Sequence, residues 1–207
     1  MRRQEVAAAR ELLACYAALA ARSAHLLDGL LQGRPPVQWA HYPADDAVDR
    51  RSGYQYFYHC HEPGGRAGGI EHGHFHLFAR LTADRPSKRR PAHLLAVAVT
   101  PKGVPHELFT VNQWVTGGRV LSAADALCAV DGFRVRSAGD PLVNRWLAAL
   151  LRLFRPQIEE LLELRDRRLR AAARRRRRVP LVRDRRVEVL SVLPIDIDER
   201  LRGFSIA

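Results

Sequence analysis

A chain of 207 residues, 47% of them hydrophobic, fits one medium-sized domain that can bury about seventy per cent of its unfolded surface without disulfide staples. Its three cysteines, Cys15, Cys60 and Cys128, are far apart and include no CxxC pair, which argues against a disulfide scaffold and against a thiolate zinc site. The formal charge of +12 is local: twelve arginines and two aspartates between 165 and 186 carry +10, leaving +2 for everything else.

Apolar residues at Val6, Ala9, Leu12, Tyr16, Leu19, Leu26, Leu27, Leu30 and Leu31 recur at helical spacing and predict an amphipathic helix over 3–32, stopped by Gly33 and Pro35-Pro36. Residues 41–49, with Pro43 and the aspartates Asp45, Asp46 and Asp49, read as an irregular, solvated loop able to lend polar groups to a site. Four β-rich stretches follow, at 54–61, 71–81, 93–100 and 105–115, separated by Gly- and Pro-rich or charged links. Ser122 with Asp125 marks the start of a short helix to about Val130. Asp140-Pro141 opens a long one, with Asp as cap and Pro at the first position, kinked at Pro156 and running to about 178. Val187 to Val192 offers a fifth strand.

The fold class expected is therefore α+β: an antiparallel meander of four or five strands, with an N-terminal helix and a long C-terminal helix packed on one face. Residues 1–164 are expected to form a single domain, with 165–207 as an Arg-rich helix end and tail. Acidic Glu5 and Glu11 interrupt the N-terminal apolar run, and no apolar stretch reaches the ~18 residues of a membrane span, so a cytoplasmic protein with no membrane partner is expected.

The densest chemical signal is five histidines in two neighbouring stretches, Tyr58-His59-Cys60-His61 and Glu71-His72-Gly73-His74-Phe75-His76-Leu77-Phe78. In a strand, alternate residues share a face about 7 Å apart. A hairpin that sets His61 opposite His72 also sets His59 opposite His74, and all five rings can then share one face. Such a patch is costly unless it is solvated, binds metal or does acid–base work. The expected metal ligands are His59, His61, His72 and His74, with His76, His106 and Glu71 as possible additions, Glu71 only if a bulge at Gly73 turns it inward. The implied cofactor is one transition-metal ion, with zinc, iron, manganese and copper all compatible with imidazole ligation. Tyr54, Tyr56 and Tyr58 fall on the opposite face and are expected to pack on the helices.

His72-Gly-His74-Phe-His76-Leu-Phe also resembles the histidine-triad motif of nucleotide hydrolases and transferases, His-φ-His-φ-His-φ-φ. That resemblance implies a nucleophilic His74 supported by His72 and His76, acting without metal. The chain departs from the pattern at Gly73 and in carrying the motif mid-chain. A non-enzymatic metal-storage, sensing or structural role is the third reading.

The phrases Tyr58–His61, Glu71–Phe78, Leu108–Thr116 and Asn144–Phe154 together resemble an uncharacterised bacterial protein family of unknown function. The likeness implies a bacterial cytoplasmic protein and no particular reaction. The Arg run, with Arg174, Arg175, Arg176, Arg177 and Arg178 at its centre, reads as a solvated helix end or as a nonspecific nucleic-acid contact through phosphates.

Overall fold

A computed structural model of the chain describes residues 2–61, 70–80, 90–175 and 179–204. Six strands form one sheet: β1 (Tyr42–Asp49), β2 (Tyr54–Cys60), β3 (Gly73–Ala79), β4 (Ala92–Val99), β5 (Pro105–Val111) and β6 (Val189–Pro194). Every neighbouring pair is antiparallel and the spatial order follows the chain order. The helices are α1 (Arg2–Ala20), α2 (Asp28–Leu31), α3 (Gln113–Thr116), α4 (Ala123–Asp131), α5 (Pro141–Leu153), α6 (Arg155–Arg174) and α7 (Ile197–Arg202), with a 3-10 turn at Leu181–Arg183. The α+β reading holds, with one strand more than the four or five expected.

That extra strand is β1, in the segment read as a solvated loop. Asp49 explains part of the difference. It is buried, and its carboxylate accepts the backbone N–H groups of Arg51, Ser52, Arg136 and Ser137. Burial opposes ionisation, but these hydrogen bonds prevail and hold the carboxyl below its usual range. Asp49 thus fastens the β1–β2 turn to the loop before α5 instead of facing water.

The first helix ends sooner than its periodicity suggests, at Ala20, and α2 follows after a turn. The Ser122 and Asp140 caps form as read: the Ser122 hydroxyl accepts the Asp125 N–H, and Asp140 accepts the N–H groups of Leu142 and Val143. The long helix breaks outright at Phe154, with Pro156 at the start of α6, rather than bending. A proline is tolerated in a first helical turn, where its missing N–H had no partner to lose.

One face of the sheet meets the helices. Tyr56, Tyr58, Phe75 and Leu77 are buried there against Trp146, Leu147, Leu150 and Phe154 of the α5 region, and α1 packs along α5 through Ala8, Leu12 and Leu19. Trp146 packs on Phe75 with ring centroids 5.7 Å apart and planes tilted by 44°, and its Nε1–H donates to the Tyr16 hydroxyl. The tyrosines thus lie where the alternation predicts. No described helix is long and apolar enough to cross a membrane.

The second face has no helix layer among the described elements. Ala96, Ala98, Phe109 and Val111 form a small apolar cluster there, joined by Val115 and Val189. Next to it stand the histidines.

Candidate metal centre

The β2–β3 register places His59 directly opposite His74, Phe57 opposite His76 and Cys60 opposite Gly73, and the His61 N–H donates to the His72 carbonyl beyond the strand ends. This is the pairing the spacing predicts. His59, His74 and His76 project from the second face and are nearly inaccessible, at 9%, 2% and 3% exposure.

Regular alternation lapses just before Gly73, where β3 begins. There Glu71 and His72 exchange the faces expected of them. Glu71 turns inward, buried, with its Oε1 2.7 Å from His74 Nδ1. His72 turns toward the helix side, where its ring stacks on Tyr58 and its Nδ1 meets the tyrosine hydroxyl. The expectation that His72 shares a face with His74 is therefore corrected, and the inward carboxylate held open as a possibility is present. Burial, then the charge of His25, lowers the His72 pKa. Gly73 permits the exchange because a Cβ there would run into the His59 carbonyl and Cys60 Cα of the neighbouring strand.

At the centre of the patch His74 Nε2 meets two other imidazole nitrogens. His74 Nε2 lies 2.7 Å from His59 Nε2 and 3.0 Å from His76 Nε2. The far side of each of the two β3 rings is held: His74 Nδ1 by Glu71, His76 Nδ1 by His93 Nε2 at 2.9 Å. His61 stands half-buried at the margin, its Nε2 3.3 Å from His74 Nδ1. One ligand-type atom from each of His59, His61 and His74 lies within 4.8 Å of the others, a spacing that could hold a metal ion.

For two of the rings, His59 and His93, the environment favours the neutral form. Burial first, then the neighbouring His61 and His41, pulls the His59 pKa down to about 4. Burial, with a smaller effect of the Arg165 guanidinium, takes His93 to about 3. Neutral imidazole is the form that offers a lone pair to a metal.

His106 starts β5, with β4 between it and β3, and does not join the cluster. Two participants escaped the sequence reading. His93 was read only as the edge of an apolar strand, and the irregularity between Leu77 and Phe78 that sets it opposite Phe78 leaves no trace in periodicity. His41 belongs to the segment read as loop. Its ring stacks flat on Phe57, with centroids 3.7 Å apart and planes 7° from parallel, and its Nδ1 meets Asp46 at 2.8 Å. The available signal was a histidine and an aspartate five residues apart beside a proline, ahead of an aromatic strand.

The basic segment is only partly available to a partner. Arg165 is buried and donates to the Leu121 carbonyl, Arg168 donates to the carbonyls of Val189 and Leu190, and Arg186 pairs with Asp184. Arg174 and Arg175 are exposed at the end of α6, while Arg176, Arg177 and Arg178 lie outside the described residues.

Sheet and site together define an α+β domain with a buried histidine cluster on the sheet face away from its helices. The chain belongs to the family described as Domain of unknown function (DUF6969), whose model matches residues 6–195. Neither the curated proteins nor the solved structures give a match.

Proposed function

We propose that this protein binds one transition-metal ion through the Nε2 atoms of His59, His74 and His76. The carrying observation is the approach of the His59 and His76 nitrogens to His74 Nε2 while Glu71 and His93 occupy the opposite sides of two of the rings. An ionised carboxylate only accepts, so the proton of His74 sits on Nδ1, and Nε2 presents its single lone pair. Two further imidazole nitrogens face that one lone pair. Without a cation, either two N–H donors compete for it or lone pairs oppose one another; a shared cation satisfies all three. Nitrogens bound to a zinc-like ion at about 2.0–2.1 Å stand roughly 3.3 Å apart in a tetrahedron. Seating it requires the gaps at His74 Nε2, now 2.7 and 3.0 Å, to open to that spacing.

Glu71 and His93 then act as the outer partners that fix ring orientation and raise ligand basicity. His61 faces the Nδ1 side of His74, away from the convergence point, so a fourth position is left for solvent or substrate, the arrangement of a catalytic rather than a purely structural site. A histidine-triad mechanism draws less support, because it needs His72 beside His74 and the ring of His72 lies with Tyr58 instead. Imidazole ligation suits zinc, copper, iron and manganese alike.

The test is metal analysis of protein purified without a His tag or chelator, followed by titration. About one equivalent, lost in His74→Ala, is expected. Less than roughly a tenth of an equivalent, with no uptake on titration, rejects the reading.

A further inference from the structure

We propose that His41 and Asp46 form a general-base dyad that serves a neutral acyl substrate, such as a carboxylic ester, held at the histidine centre. The proposal rests on the metal reading above and assigns the site a reaction.

Asp46 Oδ1 lies 2.8 Å from His41 Nδ1, and Gln55 Nε2 approaches the other carboxylate oxygen at 3.4 Å. The carboxylate accepts, so Nδ1 is the donor, and in the neutral tautomer that this contact selects Nε2 carries the lone pair. That Nε2 has no hydrogen-bond partner among the described residues. A carboxylate-oriented imidazole with a free Nε2 is the arrangement that takes a proton from water or a hydroxyl. The dyad sits beside the cluster: His41 lies flat on Phe57, and its centroid is 6.2 Å from that of His59.

The backbone supplies an independent observation. β1 loses its register with β2 between Tyr42 and Ala47, and the segment around this gap holds two non-glycine residues in the left-handed region, Trp39 at φ 66° and Asp46 at φ 54°. Aspartate tolerates that region, whereas a bulky residue such as Trp does so at a cost of about 1–3 kcal/mol, and such strain collects at functional sites. Here it places the Trp39 indole edge-on to His61 and His59, with centroids 4.7 and 5.6 Å away, while 58% of the residue stays exposed. Val37, also exposed, lies two residues before Trp39 on the same stretch of chain. An apolar rim and a carboxylate disfavour a phosphate ester and suit an uncharged acyl group.

In the proposed step, His41 Nε2 takes a proton from water as the water oxygen bonds to the carbonyl carbon. The C–O bond to the leaving group then breaks, and His41 returns the proton to the leaving oxygen. One water is consumed, and a carboxylic acid and an alcohol are formed.

The experiment uses the full chain loaded with Zn(II), and 4-nitrophenyl acetate as probe. His41→Ala should keep its zinc and lose about 10²–10⁴-fold in hydrolysis rate, with partial recovery on adding imidazole. Asp46→Asn, which keeps the ring but not the tautomer, should keep zinc and lose at least about tenfold. An unsubstituted protein no faster than His41→Ala overturns the proposal, as does loss of zinc from His41→Ala, which would make His41 a ligand. Failure of the unsubstituted chain to take up zinc removes the metal reading and this one together. Stoichiometric zinc with unaltered rates in both variants removes only this one.

Discussion

Both faces of the sheet are buried where β2 and β3 cross them, but they bury different chemistry. On the helix side, Tyr56, Tyr58, Phe75 and Leu77 meet α1 and α5 in a largely apolar interior, where Trp146 Nε1 donates to the Tyr16 hydroxyl. On the other side, His59, His74, His76 and His93 are buried too, at 9%, 2%, 3% and 8% exposure, and their nitrogens approach one another. Burial that releases apolar surface from water favours folding. Burial that removes imidazoles from water does not, and is tolerated where something later occupies the space. One face holds the domain together, and the other is held in place by it.

The sharpest way to break this contrast is to truncate one residue on each face. Trp146→Ala should cost about 3–5 kcal/mol in urea unfolding, since it empties the centre of the helix side. His76→Leu should abolish stoichiometric metal uptake while costing the metal-free protein no more than about 1–3 kcal/mol, because it removes an opposed nitrogen but leaves His93 Nε2 without its His76 partner. A metal-free His76→Leu protein destabilised as severely as Trp146→Ala would show that the histidines are ordinary core.

Acid should separate the faces next. The His59 pKa is lowered to about 4 and the His93 pKa to about 3 in the folded chain, against about 6.5 unfolded. Between those values the unfolded state binds more protons, so the stability of the metal-free protein is full above about pH 6.5 and falls as pH drops toward 4 and 3. The limiting slope is about 1.4 kcal/mol per pH unit for each group. Urea midpoints measured at pH 7.5 and 5 check the sign; a midpoint that rises on acidification contradicts the neutral, buried rings.

Within the histidine face, ligands should separate from their supports. Glu71→Gln should weaken metal affinity about 10–100-fold without abolishing it, and His61→Ala should weaken it less than His76→Ala does. Competition with a chromogenic chelator measures both. A larger loss in His61→Ala than in His76→Ala would shift the ligand set toward His59, His61 and His74.

The smallest effect is expected in the basic segment. Replacing Arg174 to Arg178 with serine should leave metal content unchanged. It should also reduce the salt dependence of any retention on nucleic acid, by at most about 0.9 per phosphate contact removed. Substitution is the right tool here. Truncation before β6 would strip a strand from β5, together with the carbonyls of Leu181 and Val187 that Asn112 binds.

Much of this architecture was legible in the sequence because two periodicities carried it. Alternation in Tyr54–His61 and His72–Phe78 set both the tyrosine face and the His59–His74 register, and the Ser122 and Asp140-Pro141 words marked helix starts through capping chemistry. What stayed hidden lies where alternation fails. Gly73 lets Glu71 and His72 trade faces, the irregularity at Leu77/Phe78 brings in His93, and the gap in β1 disguised a strand as a loop while hiding His41. Periodicity reports the regular parts of a sheet, and this site is assembled at the irregular ones.

The β2–β3 hairpin has a consequence for how the chain folds. His59, Glu71, His74 and His76 all fall within an 18-residue stretch, and β2 pairs only with its neighbours in sequence. Closing so short a loop costs little entropy, so the ligands can gather before β5 recruits β6 from nearly eighty residues downstream. An ion captured at that stage would clamp the central register of the sheet, and the metal would serve as a folding template before it served as a cofactor.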